Sequence, residues 1–282
     1  MSKLIKPPAR LFVALSGDKK RNLIIRRGPT RQVATFLWDR TKNTFTLGQW
    51  LKGRIYEHRL DISPDGRHMI YFATKPTSPK TWTTVSKTPW LKALDFHSWI
   101  GTWGGGGLFA GNDAYILNGN GDSSEVRLLS GLSIVAMSKK YDALSKTINH
   151  SSVDSSLFHN TYGLRLLRDG WSFVSGAKET GDHITRFSKT LKSGWYLYKC
   201  IRGGQRENRS AEHETHTLIN PDKGISIDMP NWEWAEFRDS KVFWAEAGSL
   251  YEARPEKEGG VGKPKLLHDF NEYVFQERLA PY

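Results

Sequence analysis

Five carboxylates in this 282-residue chain, Glu57, Asp61, Asp95, Glu233 and Glu236, flank predicted strands and are the groups best placed to exchange protons with a substrate. Two carboxylates converging on one cleft suffice to hydrolyse a glycosidic bond, one as acid and the other as base or nucleophile. Spacing along the chain does not fix which pair would meet. Glu212-His213-Glu214-Thr215-His216 has the residue types of a metal site. On a strand, however, His213 and His216 face opposite ways, and Glu212, Glu214 and His216 share a face where ion pairs with Lys or Arg of a neighbouring strand account for them equally well. We therefore read no metal and no cofactor. Cys200, the single cysteine, excludes an intrachain disulfide and is read as a buried strand thiol. No Gly-x-Ser-x-Gly nucleophile elbow occurs.

The run Gly101-Thr102-Trp103-Gly104-Gly105-Gly106-Gly107 invites a ligand, because amides without side chains can approach one closely. No Lys-Ser or Lys-Thr follows, so it is not a phosphate-binding P-loop. Close backbone approach within a sheet explains the same glycines and is the preferred reading. The chain also carries 11 tryptophans. Most serve packing, and Trp90, Trp99 and Trp103, beside Pro89 and the glycines, are the candidates for a binding platform at a rim. Trp90, Trp99, Trp103, Gly104 and Gly105 are thus the predicted binding residues.

These groups must be positioned by strands. Leu60 to Ile62 runs into Ser63-Pro64-Asp65-Gly66-Arg67 and leaves as Met69 to Ala73, a β-hairpin whose turn residues preset the reversal. This hairpin resembles the Ser-Pro-Asp-Gly-Arg hairpin of TolB-like and WD40-like β-propeller repeats. The resemblance implies an all-β fold in which that hairpin joins the inner strands of a blade, and it places the carboxylates around an axial pocket.

Four further turn signals, at Ser16 to Asn22, Ala110 to Asp113, Leu191 to Gly194 and Phe237 to Lys241, lead into short apolar strands. The central apolar residues Ile24, Ile70, Ile116, Leu197 and Phe243 lie 46, 46, 81 and 46 positions apart. Such intervals match four-stranded antiparallel blades. The long interval contains Arg168-Asp169-Gly170-Trp171, another hairpin signal, so the expectation is a single propeller domain over residues 1–282, of five blades in preference to six. A short helix fits Lys139 to Ser145, the Pro255 to Pro264 loop reads as mobile, and the strand at Leu11 to Leu15, in preference to the tail Tyr273 to Leu279, is expected to close the ring.

No apolar run approaches a membrane span, and the segment after the basic N-terminus is too short for a signal peptide, so a cytoplasmic protein without membrane insertion is expected. Lys and Arg exceed Asp and Glu by 12. A solvated basic surface explains that excess, and nucleic acid is the partner class it would otherwise attract. With no coherent catalytic constellation, the sequence favours a non-catalytic binding or scaffolding propeller that recognises a protein partner through one rim. The alternatives are a hydrolase with axial carboxylates acting on a saccharide-like ligand and a basic nucleic-acid-binding protein.

Overall fold

Strands form at each of the five turn signals, because each carries apolar residues at alternate positions up to a polar reversal. The computed structural model describes residues 7–18, 20–28, 31–75, 80–102, 104–119, 125–139, 141–143, 146, 157–179, 182–192, 194–204 and 213–282. Its hairpins join Arg10–Ala14 to Arg21–Arg27, Asp61–Ile62 to His68–Thr74, Gly107–Phe109 to Ala114–Leu117, Asp182–Thr190 to Tyr196–Gly204, and Trp234–Arg238 to Lys241–Glu246. At the most explicit of them, the Ser63 hydroxyl donates to Asp65 Oδ1 at 2.7 Å and the Arg67 N–H donates to the same oxygen at 3.0 Å.

Each hairpin anchors its own sheet. The first sheet pairs Arg10–Ala14, Arg21–Arg27, Gln32–Asp39 and Thr44–Lys52 in chain order. The second runs Val126–Arg127, Asp95–Ile100, Lys80–Lys87, His68–Thr74, Arg54–Ile55, with Asp61–Ile62 also on His68–Thr74. Gly107–Phe109, Ala114–Leu117 and, parallel to it, Ser133–Ile134 make the third. The fourth takes five strands in chain order, Ser172–Glu179, Asp182–Thr190, Tyr196–Gly204, His213–Asn220 and Ile225–Met229. Trp234–Arg238, Lys241–Glu246, Ser249–Ala253 and Lys265–Asp269 form the fifth. In the Pro255 to Pro264 loop, Pro255–Glu256 pairs with Gly260–Val261.

Hydrogen bonds link four of the five hairpin turns. Asp18 N–H donates to the Pro64 carbonyl at 2.8 Å, Asp65 N–H to Asn112 Oδ1 at 2.9 Å, and Arg238 Nη1 to the Ser16 carbonyl at 2.7 Å. The last of these joins the fifth sheet to the first. Consecutive antiparallel sheets whose last member packs on the first make a β-propeller. Arg10–Ala14, the strand expected to close the ring, pairs with Arg21–Arg27 in its own sheet and reaches the fifth sheet through side chains and through Leu11 N–H, which donates to Glu233 Oε2 at 2.9 Å. The chain after Phe270 lies over the first sheet: Phe36 packs edge-on against Phe270 and Tyr273, and Arg26 Nε donates to the Phe270 carbonyl at 2.6 Å.

Asp169-Gly170 is not a hairpin. It ends a helix, Leu157–Arg168, where Gly170 at φ +88° lets the Trp171 N–H return to the Leu166 carbonyl at 2.9 Å. An Asp-Gly pair supplies a left-handed residue to a helix end as readily as to a turn, which is why the signal was ambiguous. Thr161 to Leu166 are buried all round. The helix is therefore an interior element, packed against Glu57–Arg59, Gly107–Phe109 and Ser172–Glu179.

The glycine run packs the second sheet on the third. Gly105 sits at φ +98°, and a Cβ there would lie 2.2 Å from the Phe72 ring; one on Gly107 would lie 2.3 Å from the Ile116 carbonyl. Overpacking of this kind costs about 1–3 kcal/mol. Gly105→Ala should lower the unfolding free energy measured in urea by that amount, and an unchanged value would show that the Phe72 contact yields freely.

Candidate functional site at the ring centre

Alternation places Leu197, Lys199 and Ile201 on one face of their strand and Glu214, His216 and Leu218 on the same face of the next, with Lys199 opposite His216 in register. That face is the buried one, so Lys199 enters the interior with only 1% of its surface exposed. Its ammonium donates to Glu214 Oε2 at 2.5 Å and to the Tyr162 hydroxyl, from the helix, at 3.1 Å. Glu214 Oε1 also accepts from His58 Nε2 at 2.9 Å and from the Tyr162 hydroxyl. The His58 ring stacks on Tyr162, and Phe12 closes both edges. Burial acts to raise the Glu214 carboxyl, but Lys199, with hydrogen bonds from His216 and His58, brings it well below the usual range. Burial, with Lys199 nearby, pushes His216 down; its Nδ1 lies 3.1 Å from the Trp232 carbonyl and its Nε2 3.5 Å from Glu214 Oε2.

Of the five carboxylates singled out from sequence, three are committed to holding elements together. Asp61 receives Arg168 Nη1 at 2.6 Å and Nη2 at 2.9 Å and the Phe109 N–H at 2.8 Å, tying helix, second sheet and third sheet. Asp95 clamps a loop through the Tyr115 hydroxyl at 2.9 Å and the Leu129 and Ser130 amides at 2.8 and 2.7 Å. Glu236 takes Trp171 Nε1 at 2.9 Å and Lys189 Nζ at 2.7 Å and lines an inner cavity with Tyr162, Asp169 and Lys199.

The remaining two, Glu57 and Glu233, meet in one cleft. It is open to solvent and is walled by Arg10, Leu11, Phe12, Arg27, Arg54, Glu57, His58, Glu214 and Glu233. Arg27 Nη1 donates to Glu57 at 2.6 Å. Burial raises the Glu233 carboxyl above its ordinary range even though the Leu11 amide and Arg10 oppose the shift. One wall of the cleft is thus the Glu214 cluster, with His58 common to both.

The predicted platform residues lie elsewhere. Trp99 is 6% exposed, its ring packed beside Gly104 and Gly119. Trp90 is half-buried beneath the Arg278 guanidinium, 5.3 Å from its ring centroid. Gly104 and Gly105 take part in the sheet packing above, and Trp103 and Glu212 lie outside the described residues. Cys200 is half-buried on the face opposite Lys199. Among the described residues no group of three or more His, Cys, Asp and Glu is arranged to hold a metal ion, and no helix is long and apolar enough to cross a membrane.

The sequence reading did not single out Arg10, Arg54, His58, Tyr162 or Lys199 as site residues. Lys199 had a signal, since a Lys between Leu197 and Ile201 at strand spacing must face the core. The helix had another, in the i, i+4 series Phe158, Tyr162, Leu166.

No family model matches the chain, and no curated protein matches it. Among solved structures, it is similar to the β-propeller domain of the Trilobed protease from Pyrococcus furiosus, at 11% identity and a TM-score of 0.28 over 95% of this chain and 83% of that one. An uncharacterized protein, lmo1340, from Listeria monocytogenes gives 9% identity and a TM-score of 0.34 over 96% and 97% of the two chains. An acylaminoacyl peptidase gives 9% and 0.31 over 94% of this chain and 53% of that chain. At such scores the architecture rests on the strand order itself.

Removing one partner of a buried ion pair strands the other and costs about 3–5 kcal/mol. Lys199→Met should cost that much in urea unfolding at pH 7, while Lys199→Met with Glu214→Leu should cost less. Because Glu214 sits below its unfolded value, its contribution is present above that value and fades as pH falls through the lower folded one. The deficit of the single variant should therefore shrink in strong acid; a constant deficit would show that packing, not charge, holds Lys199.

Proposed function

We propose that the protein is a hydrolase acting on a saccharide-like ligand held in the cleft of Glu57 and Glu233. The observation that carries this reading is that two carboxylates far apart in sequence converge with His58 on one solvent-accessible cleft beside the ring centre. Their surroundings differ. Burial lets Glu233 hold its proton to higher pH than an ordinary carboxyl, as a general acid requires, whereas Glu57 is an ion-paired carboxylate against Arg27. In the reaction, Glu233 gives its proton to the glycosidic oxygen, which leaves with the electron pair of the breaking C–O bond. Glu57 takes a proton from the water that adds to the anomeric carbon. Leu11 orients Glu233 through its amide, and Arg27 orients Glu57.

A second reading, recognition of a protein partner, has support from residues 126–137, where Val126, Leu128, Leu129, Ile134 and Met137 all lie exposed. A run of apolar side chains in water is characteristic of an interaction surface.

The test is turnover of 4-nitrophenyl glycosides bearing neutral and acidic sugars. Glu233→Gln and Glu57→Gln should each lower kcat/KM by about 100-fold or more, and loss of Glu233 should remove the alkaline limb of the pH profile. Glu233→Gln should also unfold at a higher temperature than the parent above the raised pKa, because the folded state no longer has to bury a charge. That gain should vanish in acid, where Glu233 is protonated anyway. Absence of turnover on every glycoside, with residues 126–137 required for a partner, would replace this reading by the second.

A further inference from the structure

Charges around the cleft are not all paired. Arg10, Arg27 and Arg54 line it with Glu57, Glu214 and Glu233, while Lys199 stands behind the Glu214 wall and Glu246 acts on Glu233 from outside the lining. Lys199 is matched by Glu214, and Arg27 by Glu57. Arg10 lies near Glu233, whose oxygen already accepts the Leu11 amide. Arg54 is left over.

The other interior guanidiniums are spoken for. Arg26 donates to the Phe270 and Asn271 carbonyls, Arg165 to the Leu60 carbonyl, and Arg168 to Asp61 and Asp169. Arg54 and Arg10, by contrast, donate to no carboxylate or carbonyl among the described residues, and Arg54 Nε is buried without a partner. The Tyr56 ring lies 4.4 Å from the Arg54 guanidinium carbon and holds that end of the side chain at the cleft wall. A half-buried guanidinium kept at a cleft wall without its counter-charge is short of an acceptor, and a planar fork of N–H donors matches a carboxylate best.

Resting on the reading of this cleft as a saccharide site, we propose that its ligand is an acidic sugar, whose carboxylate is bound by Arg54 with Arg10. The neutral part of the ring then lies against Phe12, and the acid group fixes which end of the saccharide points toward Arg54. A site of this kind rejects the neutral sugar by leaving Arg54 unpaired, as well as by losing the ion pair itself.

Glucuronic acid and glucose differ only at the carbon that carries the charge, and they make the matched probe. Isothermal titration of the intact protein should show glucuronate binding at least about tenfold tighter than glucose, the loss expected for one charge-assisted contact. The ratio should fall as salt rises, because the cleft is open. Arg54→Gln should bring the ratio close to one with little change in melting temperature, since Arg54 makes no internal hydrogen bond to lose. Arg10→Gln, at an exposed residue, gives an independent variant should Arg54→Gln unfold, and it should lower the ratio in the same direction. Equal binding of the two sugars would overturn the acidic-ligand proposal and leave the saccharide cleft standing. Binding of neither would overturn both.

Discussion

The buried Lys199–Glu214 pair is the constraint on which the centre of this propeller depends. An ammonium and a carboxylate removed from water are each costly, and their attraction offsets that cost only if the remaining hydrogen-bonding capacity is filled. Tyr162 and His58 bond to the pair, and they come from the helix and from the Glu57–Arg59 turn between two strands of the second sheet. The pair therefore recruits elements that no backbone ladder connects. Arg168 on Asp61 repeats the arrangement one end of the helix away, so the helix is pinned by charge at two points and by apolar contacts between them.

This gives the interior two kinds of cohesion. Around the ring, sheets meet through tightly fitted apolar surface, as where Phe72 lies against Gly105 or Trp232 stacks on Trp244 at 4.9 Å. At the centre, cohesion is polar and directional. Directional hydrogen bonds and ion pairs specify one geometry more sharply than apolar packing does. The cleft inherits that rigidity because His58 and Glu214 belong both to its wall and to the central cluster, which fixes one side of the site before any ligand arrives.

Much of the ring was legible in the chain. Strand alternation and turn chemistry are local, and the hairpins at Ser63 to Arg67, Leu191 to Gly194 and Phe237 to Lys241 needed nothing beyond their own residues. The helix Leu157–Arg168 was harder, since Thr161 and Arg165 are polar yet buried and so blur its apolar stripe, and its Asp-Gly terminus imitates a turn. Trp99 and Trp90 misled for a related reason. An indole suits a binding platform and a packed sheet equally, and only the neighbours, Gly104 for one and Arg278 for the other, decide between them.

The carboxylates show the same division within a single residue type. Glu57, Asp61, Asp95, Glu233 and Glu236 are equivalent as letters in a sequence, and each flanks a predicted strand. The local sequence determined that strands would form and where they would turn, because these follow from steric and hydrophobic rules acting over a few residues; it had Cys200 as the buried side chain of its strand, where the structure buries the neighbouring Lys199 instead. Which acids were taken up by Arg168, Tyr115 or Lys189 and became structural, and which two came to line one open cleft, followed only when the sheets were brought side by side. Coulomb interactions and desolvation depend on distances through space, and in this chain those distances join residues as far apart as Leu11 and Glu233.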